Sequence, residues 1–425
     1  MRHLIFAAGL AAFTPAALAA DPEAIRSAAY DGRLTEEMAA LEAACDAGDT
    51  EACLGAGLGA LIGAYEGLAQ GVYRHGAVAP GTTAAALLMG LSDGAAEPVP
   101  ANPSPEPLSY AQLRDILDSF VTGLDTARAR FEQAGASGDY VLTLEPLRVP
   151  FDLNGDGRID AGETLAPLFS GLLASTDNPA DAGAGPSPAA ALDLQLGLDR
   201  ADGFWLAGYT QIIAAPVDWL LAHDFSRFFD AYMHRVFPQA GLPLQEFVTG
   251  SGAEELEALL DAETSIGIAD MIAGIHALDF PVVDAGRLAG VRTRLKSVTA
   301  LSRQNWQAIL AETDDDHELL PSPQQTPPVP DAPVTQAHID AWMATLDSVD
   351  KVLDGELLLP HWRFAQGFDL RAYFETAERT DLVLLLTGLD ALPYLKDGPV
   401  ASAADFEAAN ATFGDQLFPY AIWFN

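Results

Sequence analysis

Oxygen-bearing side chains recur at close, regular spacing within one twelve-residue stretch, residues 152–163. They occupy its first, third, fifth, ninth and twelfth positions and are Asp152, Asn154, Asp156, Asp160 and Glu163. Gly157 stands at the sixth position, where the chain must turn sharply. Carboxylate and amide oxygens crowded in this way suit a hard cation such as Ca²⁺. The alternative is an acidic turn that binds nothing.

The stretch resembles the calcium-binding loop of the EF-hand family. The resemblance implies side-chain ligands from the first, third, fifth and ninth positions, which are Asp152, Asn154, Asp156 and Asp160. It further implies that Arg158 offers its backbone carbonyl and that Glu163 closes the loop as a bidentate carboxylate. The ion expected from it is Ca²⁺.

The segments that flank this loop depart from the family pattern. Residues 140–151 contain Pro146 and Pro150, and proline disfavours helix at its own position and just before it, so we expect an extended approach. Residues 162–173 carry apolar side chains at helical spacing and predict a helix. Because calcium sensors change the angle between two helices, a loop with one helix favours a structural calcium site over a switch.

Helical periodicity dominates the rest of the chain and predicts an all-α fold, mainly a helical bundle. Besides the extended approach to the loop, Leu382–Thr387 is a candidate exception to helix. The predicted helices cover residues 23–44, 52–73, 108–136, 203–223, 225–236, 243–262, 264–278, 285–311 and 335–353. The apolar terminal residues 418–425 are expected to dock into the core, because an exposed patch of this kind invites association.

Proline-rich stretches divide the chain. Residues 93–107 and 321–334 are predicted connections, and residues 176–188 are rich in Gly, Pro, Ala and Asp. The parts they separate are an N-terminal helical hairpin region, a helical core that carries the loop and a C-terminal helical part that packs on this core, at residues 21–92, 108–320 and 335–425. Surface loops on a single bundle fit the same pattern.

The first twenty residues have the pattern of a cleavable signal peptide. Arg2 and His3 precede a small apolar run over residues 4–18, and an A-x-A signature predicts cleavage near Ala19 or Ala20. No later uncharged apolar run reaches the roughly eighteen residues that span a bilayer. The mature chain is therefore expected to be soluble and periplasmic or secreted.

The formal net charge of −38, from 22 basic and 60 acidic residues, bears on the partners of the chain. Nucleic-acid binding needs clustered Lys and Arg, and no such cluster occurs, so nucleic acid and anionic membrane surfaces are disfavoured. A solvated acidic surface is the simpler explanation of the charge. We expect a monomer whose partner, a protein or a small molecule, the sequence does not specify.

Two cysteines, Cys45 and Cys53, lie on either side of a turn predicted at residues 46–49 between two helices. A tight helical hairpin brings them together, and an oxidising compartment favours a disulfide over a two-cysteine metal site. Residues 40–56 also resemble one unit of the Sel1-like repeats, in which cysteines have this spacing across a helix-turn-helix.

A search for catalytic patterns finds no convincing constellation, which favours a non-enzymatic binding or scaffolding protein. Ser302 lacks a G-x-S-x-G setting, and no H-E-x-x-H spacing occurs. Residues 274–279 faintly resemble the G-x-H-x-x-E signature of imelysin-like exported helical proteins, with Asp279 in place of Glu. A buried structural role for His276 is preferred to a metal-ligand role.

Residues 312–318 hold five acids and His317. This acidic segment is either a second cation site or, as we prefer, a solvated helix end. A metal-dependent hydrolase or an imelysin-like metal-binding protein that uses it together with His276 is the alternative function. At residues 199–202, Asp202 is expected to cap a helix and Arg200 to bridge the neighbouring carboxylates. As a whole the chain resembles exported bacterial proteins with EF-hand loops, a resemblance that implies no activity.

Overall fold

The computed structural model describes residues 21–77, 99–160, 163–164, 195–244, 262–327, 333–414 and 417–425. The predicted signal peptide, nearly all of the helix predicted over residues 162–173 and most of that predicted over 243–262 lie outside these residues.

The all-α prediction is confirmed. Capped helices form where apolar residues recur at helical spacing, as at Ser109, whose side chain and that of Gln112 cap each other's backbone N–H groups. The helices are α1 (Pro22–Tyr30), α2 (Met38–Asp46), α3 (Thr50–Arg74), α4 (Tyr110–Ala136), α5 (Arg200–Leu221), α6 (Ser226–Tyr232), α7 (Ala262–His276), α8 (Ala285–Ile309), α9 (Gln336–Leu353), α10 (Leu370–Thr376), α11 (Leu382–Thr387), α12 (Glu407–Phe413) and α13 (Leu417–Phe424).

Short strands form three antiparallel pairs among these helices. In chain order they are β1 (Leu142–Leu144), β2 (Leu196–Leu198), β3 (Asp279–Pro281), β4 (Gly367–Phe368), β5 (Arg379–Asp381) and β6 (Leu395–Lys396). The pairs are β1 with β2, β3 with β5, and β4 with β6. In the first pair Leu142 lies opposite Leu198 and Leu144 opposite Leu196, so the chain leaves β1 and β2 at opposite ends of the ribbon.

The four long helices α3, α4, α5 and α8 pack in succession and form the centre of the bundle. Glycine permits the close approach: a Cβ at Gly57 of α3 would collide with the Phe131 ring of α4. A Cβ at Gly203 of α5 would lie 2.9 Å from the Phe131 carbonyl oxygen. Two helices therefore pack tightly against the same buried phenylalanine, which is fully inaccessible to solvent.

The N-terminal hairpin contains the predicted disulfide. Cys45 near the end of α2 and Cys53 in the first turns of α3 are bonded, with their Cα atoms 4.6 Å apart. Eight residues of unbroken helix would hold these atoms about 12 Å apart, so the turn between α2 and α3 is what makes the bond possible. The stretch 23–44 forms two helices rather than one, because the chain turns at Gly32, whose φ is +67°.

Helix α3 is long and apolar enough to cross a membrane by length and composition, with a mean hydropathy of 1.4 over its most apolar window. Of that window 61% is buried inside the protein, where α3 packs on α2 and α4. A core helix passes the same test, so the observation is weak evidence for a membrane span.

Two expectations for the C-terminal part have different outcomes. Leu382–Thr387 is helix α11, because Asp381 caps its start and Gly388, with φ of +111°, ends it, so the proposed exception to helix was wrong. The docking of the terminal segment is confirmed. The carbonyl oxygen of Phe424 accepts hydrogen bonds from Trp306 Nε1 at 3.1 Å and from Ser302 Oγ at 3.2 Å, and the Phe424 ring is buried.

Candidate metal centres

The loop at residues 152–160 folds around the carboxylate of Asp152. Asp152 Oδ1 accepts the N–H of Gly155 at 2.7 Å, and Oδ2 accepts the N–H of Gly157 at 3.0 Å. Both glycines have positive φ, +77° and +72°, which other residues adopt only with strain. The glycine at the sixth position is thus required by the backbone, as the sequence pattern predicts.

The next oxygen-bearing side chains repeat this arrangement along the loop. Asn154 Oδ1 accepts the N–H of Asp156 at 2.8 Å, and Asp156 Oδ1 accepts the N–H of Arg158 at 2.8 Å. Each side chain therefore accepts a hydrogen bond from the backbone of its own loop. The Arg158 side chain is exposed.

Glu163 closes the loop from a fully buried position. Its Oε1 accepts the N–H of Leu153 at 2.9 Å, and its Oε2 accepts the N–H of Asp160 at 2.8 Å. Its backbone carbonyl accepts the N–H of Phe151 at 2.9 Å, and Pro150 and Thr164 form an antiparallel bridge beside it. Both ends of the loop are consequently joined at the Glu163 carboxylate.

The segment that enters the loop is not an α-helix. It consists of β1, a short 3₁₀ turn at Pro146–Arg148 and extended chain to Phe151, so the predicted extended approach is interrupted by one turn that begins at Pro146. A helix from elsewhere in the chain lies against the loop instead. Glu66 Oε1 of α3 accepts the N–H of Asp152 at 3.0 Å, and Gln70 Nε2 donates to the Asp152 carbonyl at 2.8 Å.

Glu66 is a residue that the sequence analysis missed, because it lies 86 positions before Asp152. Burial raises the pKa of the Glu66 carboxyl, and the negative charges of Asp152 and Glu163 raise it further against the lowering effect of the Asp152 N–H. A cation among these oxygens would relieve that repulsion. The donor set, one amide and several carboxylates, fits a hard cation that prefers oxygen.

A second group of carboxylates comes from three separate places in the sequence. Asp199 precedes α5, and Glu312 and Glu318 belong to the acidic segment that follows α8. One carboxylate oxygen from each lies within 4.8 Å of the others. Asp199 is 8% exposed and Glu318 is 5% exposed, whereas Asp314, Asp315 and Asp316 of the same segment are exposed. We call Asp199, Glu312 and Glu318 the carboxylate cluster.

The expected roles of residues 199–202 are partly wrong. The cap of α5 is Asp199, whose Oδ1 accepts the N–H groups of Ala201 and Asp202, and Asp202 Oδ2 accepts the Asp199 N–H in return. Arg200 donates from Nε to the Gly135 carbonyl at 2.8 Å and does not bridge the carboxylates. Asp202 is itself 5% exposed and adds negative charge beside the cluster.

Burial raises the pKa of the three carboxyls of the cluster and of the neighbouring Asp202. It raises the pKa of Glu312 to about 8, with the charge of Asp199 as the next cause, and that of Glu318 to about 7. The pKa of Asp199 is raised by burial, and that of Asp202 is raised well above its ordinary value by burial and by Asp199. The acidic segment is therefore not simply a solvated helix end, because two of its acids turn inward.

The histidines considered with the acidic segment do not join the cluster. His317 is exposed. His276 is also exposed, at the end of α7, so the expectation that it is buried was wrong. His276 lies three residues before β3. The Pro281 carbonyl of β3 accepts a hydrogen bond from the N–H of Asp224, which follows the C-terminal end of α5, so His276 belongs to that end of the helix. The cluster lies at the N-terminal end of α5. This helix has 22 residues, so its two ends are about 33 Å apart at 1.5 Å per residue.

A groove of about 520 Å³ lies between α4, α5 and α8. Arg200, Phe204 and Gln304 help to line it, but the three clustered carboxylates do not. Neither His276 nor His317 lines it either. The groove therefore does not assemble the acid and histidine side chains that the hydrolase alternative requires in one concave pocket.

Comparison of the chain with protein-family models, with curated proteins and with solved structures finds no match. The two groups of oxygens are therefore the features of the chain that indicate its function.

Proposed function

We propose that the protein is an exported calcium-binding helical protein, with Ca²⁺ held by residues 152–163 and with a non-enzymatic binding or scaffolding role. The observation that carries the proposal is the position of Glu163, a fully buried carboxylate whose two oxygens are held by loop N–H groups at 2.9 and 2.8 Å. A buried carboxylate without a basic partner is costly unless a cation or several donors neutralise it. The other loop oxygens come from Asp152, Asn154, Asp156, Asp160 and the Arg158 carbonyl.

The surroundings of the loop support a structural role for the ion. A sensor needs two helices that reorient around the loop, but here an extended segment enters it. Glu66 and Gln70 tie the first ligand position to α3, and a Cβ at Gly32 would collide with the Ile159 side chain. An ion in the loop joins the segment after β1 to the N-terminal helices and stabilises that contact.

Export is part of the same proposal. The signal-peptide pattern of residues 1–20 supports it, and the Cys45–Cys53 disulfide favours an oxidising compartment. Calcium is abundant outside the cytoplasm, so a site of modest affinity would be filled there.

The test is isothermal titration calorimetry of Ca²⁺ into the chelator-stripped mature chain, with Mg²⁺ as the competing ion. We expect saturable binding at the loop, and Glu163→Gln should remove that loop component, because the substitution takes one charged oxygen from the closing position. Glu36→Gln, an exposed acid outside the loop, is the matched control and should bind as the wild type does.

Thermal melting of the same proteins adds a second readout. Ca²⁺ should raise the melting temperature of the wild type and of Glu36→Gln, since a ligand that binds only the folded state stabilises it by mass action. Heat-silent titration with an unchanged melting temperature would contradict the proposal. A large calcium-dependent rise in the binding of a dye for apolar surface would favour a sensor instead.

A further inference from the structure

We propose that the carboxylate cluster of Asp199, Glu312 and Glu318 is a second cation site, for a hard divalent ion and for Ca²⁺ in preference to Mg²⁺. The spacing of the carboxylate oxygens suits an ion of this size. Calcium–oxygen distances are about 2.3–2.6 Å, so two oxygens on opposite sides of one Ca²⁺ lie about 5 Å apart. One oxygen from each of the three side chains lies within 4.8 Å of the others, so the three are close enough to bind one ion after small side-chain shifts.

One carboxylate oxygen of the cluster is buried without a hydrogen-bond partner. Glu312 Oε2 accepts a hydrogen bond from Gln325 Nε2 at 3.2 Å. Glu312 Oε1 exposes less than 1 Å² to solvent and has no hydrogen-bond partner. The carboxyl faces that of Asp199, and a hydrogen bond between them needs a proton on one of the two. With both ionised, a buried acceptor is left without a donor, which is costly unless a cation is present.

Within the part of the chain that the structure describes, the cluster also lacks a basic partner that would neutralise it. Among the described residues, none of the ion pairs involves Asp199, Glu312 or Glu318. The neighbouring Arg200 is directed to the Gly135 carbonyl. By contrast, the similarly buried Asp218 is paired with Arg287 and Arg294 at 2.6 Å each.

The backbone around the cluster holds the three carboxyls together. Asp199 Oδ1 accepts the first N–H groups of α5, which fixes the Asp199 carboxylate at the start of that helix. Glu318 Oε1 accepts the Asp316 N–H at 3.1 Å, and the His317 carbonyl accepts the Gly197 N–H of β2 at 3.0 Å. An ion here would join the start of α5 to the segment after α8. All-carboxylate donors in a buried position suit Ca²⁺, because Mg²⁺ usually keeps several waters.

This site is independent of the loop, so the experiment counts ions. Equilibrium dialysis of the chelator-stripped mature chain against CaCl₂ should give two ions for the wild type and one for Glu163→Gln. The remaining ion should be lost when Glu312→Gln or Glu318→Gln is combined with Glu163→Gln. This comparison is made at a Ca²⁺ concentration at which the single variant Glu163→Gln binds one ion. Asp314→Asn, an exposed acid of the same segment, should leave that ion bound. MgCl₂ in the same dialysis should compete poorly.

Melting in chelator checks that the variants fold. Glu312→Gln should melt at or above the wild-type temperature without metal, because it removes charge repulsion, and should lose its share of the Ca²⁺-dependent rise. One ion in the wild type that Glu163→Gln removes would overturn the proposal and would indicate a proton shared by Asp199 and Glu312. A remaining ion indifferent to Glu312→Gln and Glu318→Gln would overturn it as well. One ion lost with Glu312→Gln but kept in Glu163→Gln would support the cluster and refute the loop.

Discussion

The loop at residues 152–163 and the carboxylate cluster both contain carboxylates, but the two places differ in how many hydrogen-bond donors those carboxylates have. In the loop, the carboxylates of Asp152 and Glu163 accept two backbone N–H groups each. In the cluster, Glu312 Oε1 is buried without a donor. The loop arranges its oxygens through its own backbone, whereas the cluster is assembled by β2, the start of α5 and the segment after α8.

The difference predicts opposite responses to removal of charge in the absence of metal. A loop carboxylate that loses a charge loses acceptor strength for N–H groups that are already bonded to it. A cluster carboxylate that loses a charge loses a repulsion. The β1–β2 ribbon lies between the two sites, and the chain leaves it toward the loop at one end and toward Asp199 at the other.

The largest expected effect is that of Glu163→Gln on calcium affinity. Loop affinity depends on charge count and rigidity over many orders of magnitude, so we expect a loss of roughly 100-fold at the loop. Calorimetry should show it while helix content by circular dichroism is kept, because the core lies elsewhere. If Glu163→Gln leaves the calcium affinity of the loop unchanged, the Glu163 carboxylate is not a ligand of the ion, and the proposed difference between the two sites is wrong.

A smaller effect is expected from Glu66→Ala, which removes the acceptor for the Asp152 N–H. Residues that orient metal ligands typically contribute 10–100-fold in affinity, and we expect about tenfold here. Glu66→Gln keeps an acceptor oxygen and should recover part of the loss. If both variants bind as the wild type does, α3 does not position the loop and the local sequence alone determines its affinity.

The cluster should make metal-free stability depend on pH. The pKa of Glu312 is about 8 in the folded protein against an ordinary 4.5, so the folded state binds more protons than the unfolded state between these values. The free energy of unfolding should therefore fall as pH rises from about 5 to 8, and Glu318, with a pKa of about 7, acts in the same direction.

The groups that face Glu312 in this comparison are Asp199, Asp202, Glu318 and Gln325. Melting in chelator across that range should show the fall in the wild type and a weaker fall in Glu312→Gln. Saturating Ca²⁺ should reduce the slope if the ion replaces the proton. A slope that is the same in both proteins would mean that the pH dependence arises elsewhere.

The smallest effect is expected from Arg158→Ala. The side chain is exposed and positive, and the implied ligand is its backbone carbonyl, which alanine retains. Removal of the charge should tighten calcium binding by about two- to threefold at low salt and less at high salt, because exposed charges are screened. A marked loss of affinity on titration would show that the guanidinium itself supports the loop.

The sequence determined whatever depends on near neighbours in the chain. Helical spacing of apolar residues predicted the all-α fold, and Pro146 and Pro150 predicted that the loop is entered by extended chain. The turn between Cys45 and Cys53 predicted their bond. Within the loop, Gly157 could be assigned a turn because its φ of +72° is a local requirement of the backbone.

Tertiary structure decided the features that depend on distant residues. Only packing brings Glu66 to Asp152 across 86 positions, and only the pairing of β1 with β2 and the turn after α8 bring Glu318 to Asp199. The buried Glu318 and the half-buried Glu312 also differ from the exposed acids between them, a difference that the sequence of the segment does not indicate. The physical reason is that desolvation and close approach of charges are properties of three-dimensional surroundings, which residue type and spacing do not contain.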